Sequence, residues 1–149
     1  MKYKGGCHCG NLRIAFETKI SPAEIEVRAC QCTFCRKHSS LAVTDPAGRL
    51  AIHVEREDRL GRYAFGLQTA EYLICKTCGV YVAAVTTGES EPRGIAIVSC
   101  LDERRQFTSA PVAVDYDAES RDDRMERRRR RWTRVTITPF PEGGGSDRL

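Results

Sequence analysis

Seven of the eight cysteines in this 149-residue chain fall into three short clusters. The first is a C-x-C pair, the second a C-x-C-x2-C triplet and the third a C-x2-C pair. Such spacings are typical of zinc sites, because zinc is tetrahedral and takes thiolates from short chelating turns. Seven thiolates are too many for one closed site and one too few for two. The clusters are Cys7 with Cys9, Cys30 with Cys32 and Cys35, and Cys75 with Cys78.

The first and third clusters together supply four thiolates, and the residues that follow them favour this pairing. Gly10 comes directly after Cys9, and Gly79 directly after Cys78. A zinc-binding turn bends sharply after its second cysteine, often into a conformation with positive φ that glycine adopts without strain. We therefore predict one structural zinc site that ties the first strand to a distant hairpin. Its ligands are Cys7, Cys9, Cys75 and Cys78.

The triplet has a different setting, because Cys35 is followed by Arg36 and Lys37. Cations beside a thiolate lower its pKa and attract anionic ligands. Zinc held by three thiolates keeps one position open, and open zinc sites carry out chemistry whereas closed sites hold folds together. We predict a second, catalytic zinc held by Cys30, Cys32 and Cys35. The alternative is a second structural site, with a fourth ligand from His8, His38 or Cys100.

Length and composition set the context for these cysteines. The chain is long enough for one domain with a modest core, and 41% hydrophobic residues argue against disorder. No apolar run approaches the roughly 18 residues of a membrane span, and the N-terminus has no apolar signal-peptide stretch. We therefore expect a cytoplasmic protein without a membrane anchor. In a reducing compartment, clustered cysteines indicate metal rather than disulfides or a redox dithiol.

Short segments of alternating apolar and polar residues predict a mainly β domain. A single helix is expected over 120–132, with Ser120 as its N-cap, acids in its first turn and arginines in its last. We expect residues 1–141 to form one zinc-binding domain and the glycine-rich residues 142–149 to be a flexible tail. The expected strands are 12–16, 25–29, 41–44, 50–54, 60–65, 71–74, 80–85, 94–98 and 135–137.

The net charge of +4 is concentrated in the predicted helix. Residues 121–134 contain eight arginines and three acids, a net of +5, which leaves −1 for the rest of the chain. The five consecutive arginines Arg127–Arg131 support an alternative function: a non-catalytic zinc-binding module that engages nucleic acid or another polyanion. Two further interpretations are a solvated helix face and a receptor for the carboxylates of an anionic thiol.

The cysteine motifs resemble a known family. Gly5-Gly6-Cys7-His8-Cys9-Gly10, the segment Cys30-Gln31-Cys32-Thr33-Phe34-Cys35-Arg36-Lys37 and Cys75-Lys76-Thr77-Cys78-Gly79 are similar to motifs of the glutathione-dependent formaldehyde-activating (GFA) enzymes and their centromere-protein-V relatives. The resemblance covers residues 5 to about 101 and implies a small zinc-stapled β-tent, similar to that of an accessory factor of Rab GTPases. An exchange-factor role by analogy with that factor rests on the fold alone.

The resemblance also implies roles for the cysteines. Cys7, Cys9, Cys75 and Cys78 would hold the structural zinc. Cys30, Cys32 and Cys35 would hold the catalytic zinc, where glutathione and formaldehyde combine to S-(hydroxymethyl)glutathione, and the reverse step makes the enzyme a carbon–sulfur lyase. The chain has His38-Ser39-Ser40 where many members carry small residues ending in glycine, and Val80-Tyr81 where a small hydroxyl residue is common. Both segments flank the expected pocket.

Overall fold

A computed structural model of the protein describes residues 1–139. The predicted domain end at 141 and the tail 142–149 lie outside the described residues. Within the described part, the chain forms one 11-stranded sheet and two α-helices, so the mainly β prediction is confirmed. The strands are β1 (Lys2–Gly6), β2 (Leu12–Glu17), β3 (Arg28–Cys30), β4 (Ala42–Val43), β5 (Arg49–Val54), β6 (Leu60–Tyr63), β7 (Ala70–Cys75), β8 (Tyr81–Thr86), β9 (Arg93–Ile97), β10 (Val112–Val114) and β11 (Thr133–Pro139). The helices are α1 (Thr33–His38) and α2 (Arg121–Arg131).

The sheet branches at β9. Its main path runs β1-β2-β5-β11-β9-β4-β3-β10, and a second arm leaves β9 through β8 to β7 and β6. β5 pairs with β11 and β3 with β10 in parallel, and the other pairs are antiparallel. The branch lets the turn between β1 and β2 meet the turn between β7 and β8, although the two turns are far apart in sequence.

The core follows the predicted alternation most closely on β2 and β5. Leu12, Ile14 and Phe16 pair with Val54, Ile52 and Leu50 in register, and all six side chains are at most 2% exposed. Full burial of each such side chain stabilises the fold by roughly 1.5–3 kcal/mol. Strand β8 pairs with β7 on one side and β9 on the other, and every one of its residues is buried.

Helix α2 begins where the sequence predicts. The Asp123 N–H donates to Ser120 Oγ at 3.1 Å, which completes the expected N-cap. Met125, Arg128 and Trp132 are buried, and their spacing places them on one helix face that packs against the sheet. An arginine on the buried face of a helix is unusual, and it bears on the functional site.

Three elements were not predicted: β1, β10 and α1. Both strands are short and lack a clear alternation, and α1 has only six residues, too few to show a helical period. The strand expected over 25–29 forms only as Arg28–Cys30, where it pairs with β10 and β4. Among residues 1–139, no helix has the length and apolar character that crossing a lipid bilayer requires.

Candidate metal centres

The first and third cysteine clusters come together as predicted. The sulfur atoms of Cys7, Cys9, Cys75 and Cys78 all lie within 4.8 Å of one another. Cys7 Sγ lies 3.8 Å from Cys9 Sγ, which in turn lies 3.6 Å from Cys75 Sγ. A tetrahedral zinc with Zn–S bonds of about 2.3 Å separates its sulfur ligands by about 3.8 Å. The four cysteines therefore fit a zinc ion.

The backbone of these two turns also has the predicted geometry. Gly10 and Gly79 have φ values of 86° and 80°, in the region that favours glycine. The bend after each second cysteine turns backbone N–H groups toward sulfur, and the Leu12 N–H donates to Cys7 Sγ at 3.2 Å. Such hydrogen bonds stabilise thiolates and hold them in position for a metal.

The pKa values of Cys7 and Cys78 are shifted in opposite directions. Burial raises the pKa of Cys7 to about 12. Burial also raises the pKa of Cys78, but backbone hydrogen bonds from Cys9 and Val80 and those from the neighbouring thiols outweigh it and bring the pKa to about 6. Four thiolates this close repel one another, and a divalent cation is the partner that lets all of them ionise.

The triplet is assembled within one short segment. Cys30 ends β3, Cys32 is the N-cap of α1, and Cys35 lies on that helix. Their sulfur atoms lie within 4.8 Å of one another, and the Cys35 N–H donates to Cys32 Sγ at 3.4 Å. Helix α1 stops at Ser39, which adopts a left-handed conformation with φ of 50°. The three thiols thus face one point from the strand end, the helix cap and the first helical turn.

Within the described part of the chain, the structure brings no fourth side-chain ligand to the triplet. Among residues 1–139, no further His, Cys, Asp or Glu atom lies in the same 4.8 Å group. Cys100 is buried and its Sγ donates to the carbonyl oxygen of Tyr81 at 3.1 Å. The His38 ring packs on Phe34, with ring centroids 4.5 Å apart, and His8 is exposed in the β1–β2 turn beside the other cluster. Among residues 1–139, the triplet therefore offers three thiols that could hold a metal, and no fourth side chain joins them.

The cation near the triplet is not one that the sequence indicated. Arg36 and Lys37 are exposed. The pKa of Cys30 is lowered to about 6, first by a hydrogen bond from Cys35, then by hydrogen bonds from Cys32, and also by the positive charge of Arg127. Hydrogen bonding to Cys30 and burial raise the pKa of Cys35 well above its ordinary value. A positive charge does lie near the thiols, but it comes from α2.

Aromatic side chains surround helix α1. Phe34 lies between Cys32 and Cys35 in sequence, and its ring centroid is 4.6 Å from that of Tyr72 and 5.1 Å from that of Tyr81. The Tyr81 hydroxyl is buried and makes no hydrogen bond within the described residues. Burial, and then the charge of Cys35, hold the pKa of Tyr81 well above its usual range. Tyr81 is therefore a protonated donor that has no acceptor among residues 1–139.

A small cavity adjoins the triplet. Its volume is about 60 Å³, and its lining includes Cys30, Cys35, Arg28, Arg127, Arg128 and Trp132. We call it the arginine cavity. A larger groove of about 600 Å³ runs along the outer side of β1 and β2, but its lining includes none of the triplet cysteines. The arginine cavity thus contacts the triplet through Cys30 and Cys35.

Comparison with known proteins identifies the family. Residues 2–116 match the family of glutathione-dependent formaldehyde-activating enzymes. The chain belongs to the GFA family. A crystal structure of a Rhodobacter sphaeroides protein is also similar: it is 31% identical, the match covers 74% of this chain and 99% of that chain, and the TM-score is 0.58. The expectation drawn from the cysteine motifs is confirmed.

Helix α2 lies beyond the residues that match the GFA family. The five consecutive arginines Arg127–Arg131 do not form one solvated face, because Arg128 is 6% exposed and the Arg127 side chain 12% exposed. The other three, Arg129 to Arg131, are exposed and pair with carboxylates of Glu89, Glu126 and Glu26. A polyanion on this surface would therefore meet three arginines that already have partners, which does not favour the nucleic-acid alternative.

Sequence reasoning missed two residues of the arginine cavity. Arg28 alternates with Val27, so its strand pattern predicted an outward side chain, yet both residues are buried. The reason is that α2 covers the second face of this sheet region. Tyr72 was missed for the same reason. The signal in the sequence was the position of Arg28, two residues before Cys30 in the strand that ends there, but this signal is weak without the helix.

Proposed function

We propose that the protein is a zinc-dependent carbon–sulfur lyase and synthase of the GFA type, which joins a glutathione-like thiol to a small aldehyde at the triplet of Cys30, Cys32 and Cys35. Family membership supports the reaction class. The observation that carries the proposal is the contrast in ligand number. One cluster has four cysteines, whereas the other has three and no further His, Cys, Asp or Glu within ligand distance among the described residues.

Two zinc ions per chain fit the donor sets. Thiolates favour zinc among the metals that proteins commonly hold, and cysteines kept free of disulfides suit a reducing compartment such as the cytoplasm. We assign the four-cysteine cluster to a structural ion. At the triplet, a bound zinc would supply a Lewis-acidic position open to substrate.

The reaction moves one proton and forms one bond. The thiol sulfur adds to the aldehyde carbon, a C–S bond replaces the C=O π bond, and the thiol proton is transferred to the former carbonyl oxygen. The reverse reaction breaks the same C–S bond. Tyr81 is suited to assist the oxygen, because its buried hydroxyl is protonated and has no acceptor in the described structure.

Exchange NMR on glutathione and formaldehyde tests the proposal, because it measures interconversion above the fast spontaneous reaction. We expect the zinc-loaded protein to broaden the exchange signals at catalytic concentration, and Cys32→Ser to remove the effect. Cys100→Ser is the matched control, since Cys100 lies outside both clusters. Equal exchange rates with and without protein, for glutathione and for other small thiols and aldehydes, would reject the proposed function.

A further inference from the structure

Arg128 is a buried charge whose binding capacity is only partly used. It is 6% exposed, and its Nη1 donates to Thr69 Oγ1 at 2.7 Å. Its Nε makes no hydrogen bond, and no carboxylate lies within ion-pair distance among residues 1–139. The guanidinium stacks over the Trp132 ring at 4.5 Å. Burial lowers the pKa of Arg128 to about 10, so the side chain stays cationic at neutral pH.

Two other guanidinium groups line the same cavity. Arg28 is 5% exposed, and its Nη2 donates to Thr44 Oγ1 at 2.6 Å. Its nearest carboxylate, Glu26, is half exposed and lies 3.9 Å from Nε. Arg127 is held in a bidentate pair by Glu119, with both N–O distances at 2.8 Å. This pair fixes the Arg127 fork beside the cysteines.

The negative charge near the cavity does not balance these arginines. Glu119 also pairs with Arg124 at 3.5 Å, and Glu26 with Arg131 at 3.6 Å, so both carboxylates are shared. Three thiolates with one divalent cation carry a net −1. Of the three arginines that line the cavity, Arg127 has a carboxylate at 2.8 Å, Arg28 has one only at 3.9 Å, and Arg128 has none within ion-pair distance among residues 1–139. An unbalanced buried charge is costly, and a bound anion is the partner that removes the cost.

We propose that the arginine cavity binds the carboxylate of a small anionic substrate, with Arg128 and Arg28 as its ligands. A planar guanidinium matches a carboxylate with two parallel hydrogen bonds. The cavity volume of about 60 Å³ holds a carboxylate and excludes bulky groups. Cys30 and Cys35 share the lining, so the carboxylate belongs to a molecule whose reacting atom lies only a few bonds away.

The site combines residues of the family match with residues of a helix that lies beyond it. Arg127 and Arg128 come from α2, which lies outside the residues that match the family. That the carboxylate belongs to a reacting substrate rests on the proposed function, but carboxylate binding itself does not. Either the thiol substrate or the aldehyde substrate can carry the carboxylate, and the experiment below distinguishes these two cases.

Binding to the zinc-loaded protein is followed by fluorescence of Trp132, the one tryptophan of the chain, which lines the cavity. Each probe is paired with a neutral partner: mercaptoacetate with 2-mercaptoethanol, and glyoxylate with acetaldehyde. We expect the carboxylate to bind at least about tenfold more tightly in at least one pair, since a charge-assisted bidentate contact is worth that factor or more. The pair that shows the preference identifies the source.

Variants of Arg128 and Arg130 test whether the preference for the carboxylate probe arises in the arginine cavity. Arg128→Gln is expected to abolish it, and Arg128→Lys to restore it only in part, because lysine keeps the charge but lacks the fork. Arg130→Gln is the matched control, since it removes the same charge from the exposed side of α2. Each affinity is also measured by calorimetry, because Arg128 contacts the Trp132 ring and its replacement changes the surroundings of the fluorophore. If Arg128→Gln does not fold, the affinities of the paired probes for the unmodified protein still decide whether the cavity prefers a carboxylate.

Equal affinity for carboxylate and neutral partner in both pairs overturns the proposal, and so does an equal loss of preference in Arg128→Gln and Arg130→Gln. Catalysis of glutathione exchange without any carboxylate preference overturns this proposal and leaves the proposed function intact. Carboxylate preference that depends on Arg128, in a protein that catalyses no exchange, supports the site and rejects the proposed function.

Discussion

The two cysteine clusters use similar ligands in different surroundings. The four-cysteine cluster joins two turns that are distant in sequence, since Cys9 and Cys75 are 66 positions apart. Glycines with positive φ shape both turns. The three-cysteine cluster comes from one segment at the end of β3 and the start of α1, beside aromatic rings and buried arginines. A cluster that links distant turns is suited to hold the fold, whereas a local cluster with an open position is suited to bind a substrate.

This difference predicts unequal effects for the same substitution. Cys78→Ser should remove a ligand that ties the β7–β8 turn to the β1–β2 turn. We expect a loss of more than about 5 kcal/mol in the free energy of unfolding, comparable with the whole stability of a small domain. Thermal unfolding followed by circular dichroism measures this. Cys100→Ser, at another buried thiol, should cost only about 1–2 kcal/mol; equal losses would contradict the assignment.

Cys32→Ser should leave the fold and remove the second metal. The triplet lies within one segment, so we expect the free energy of unfolding to change by less than about 2 kcal/mol. Metal content measured by atomic emission should fall by one ion, and thiol–aldehyde exchange should return to the spontaneous rate. An unfolded Cys32→Ser protein would show that the triplet is structural, and the contrast between the clusters would be lost.

Tyr81→Phe should separate chemistry from metal binding. Loss of a proton donor is expected to lower the catalysed exchange rate about 100-fold without changing the metal content. Since the buried hydroxyl has no acceptor in the described residues, its removal should also raise the free energy of unfolding by about 1 kcal/mol. Tyr63→Phe is the control, because Tyr63 is half exposed and stacks on the same Phe34 ring. An unchanged rate in Tyr81→Phe would exclude Tyr81 from the reaction.

Glu119→Gln should have the smallest effect. Its hydrogen bond from Arg127 holds the pKa of Glu119 below its usual value, so the ion pair stabilises the fold above the ordinary carboxyl pKa of about 4.3. That contribution is lost as the pH falls through the lowered folded-state pKa. We expect the variant to be less than about 1 kcal/mol less stable at pH 7, with the gap closing in acid. A stability difference between the two proteins that persists below pH 4 would show that Glu119 acts through side-chain packing and not through the ion pair.

The sequence predicts the local features of this protein better than the distant ones. The cysteine spacings, the glycines at positions 10 and 79 and the Ser120 cap each depend on a few adjacent residues, and all three predictions agree with the structure. The inward orientation of Arg28 and Arg128 could not be predicted, because it depends on α2 packing across a sheet that is assembled from both ends of the chain. Five consecutive arginines look alike in sequence and differ only once one helix face is covered.

Helix α1 shows the same limit at a smaller scale. Its six residues carry no readable period, and the element exists because Cys32 caps it and the chain must bring Cys35 back toward Cys30. Sequence reasoning therefore identified the three cysteines that lie together but not the element that positions them. It also named Arg36 and Lys37 as the nearby cations, whereas Arg127 fills that role from a distant helix.

Metal release during a chelator titration tests the difference between the two clusters most directly. The zinc-loaded protein is followed by native mass spectrometry for metal number and by circular dichroism for fold. We predict two ions per chain, with one removed at low chelator concentration while the fold persists, and the other removed only as the chain unfolds. A single tightly held ion, or the release of both ions in one step with unfolding, would contradict the account.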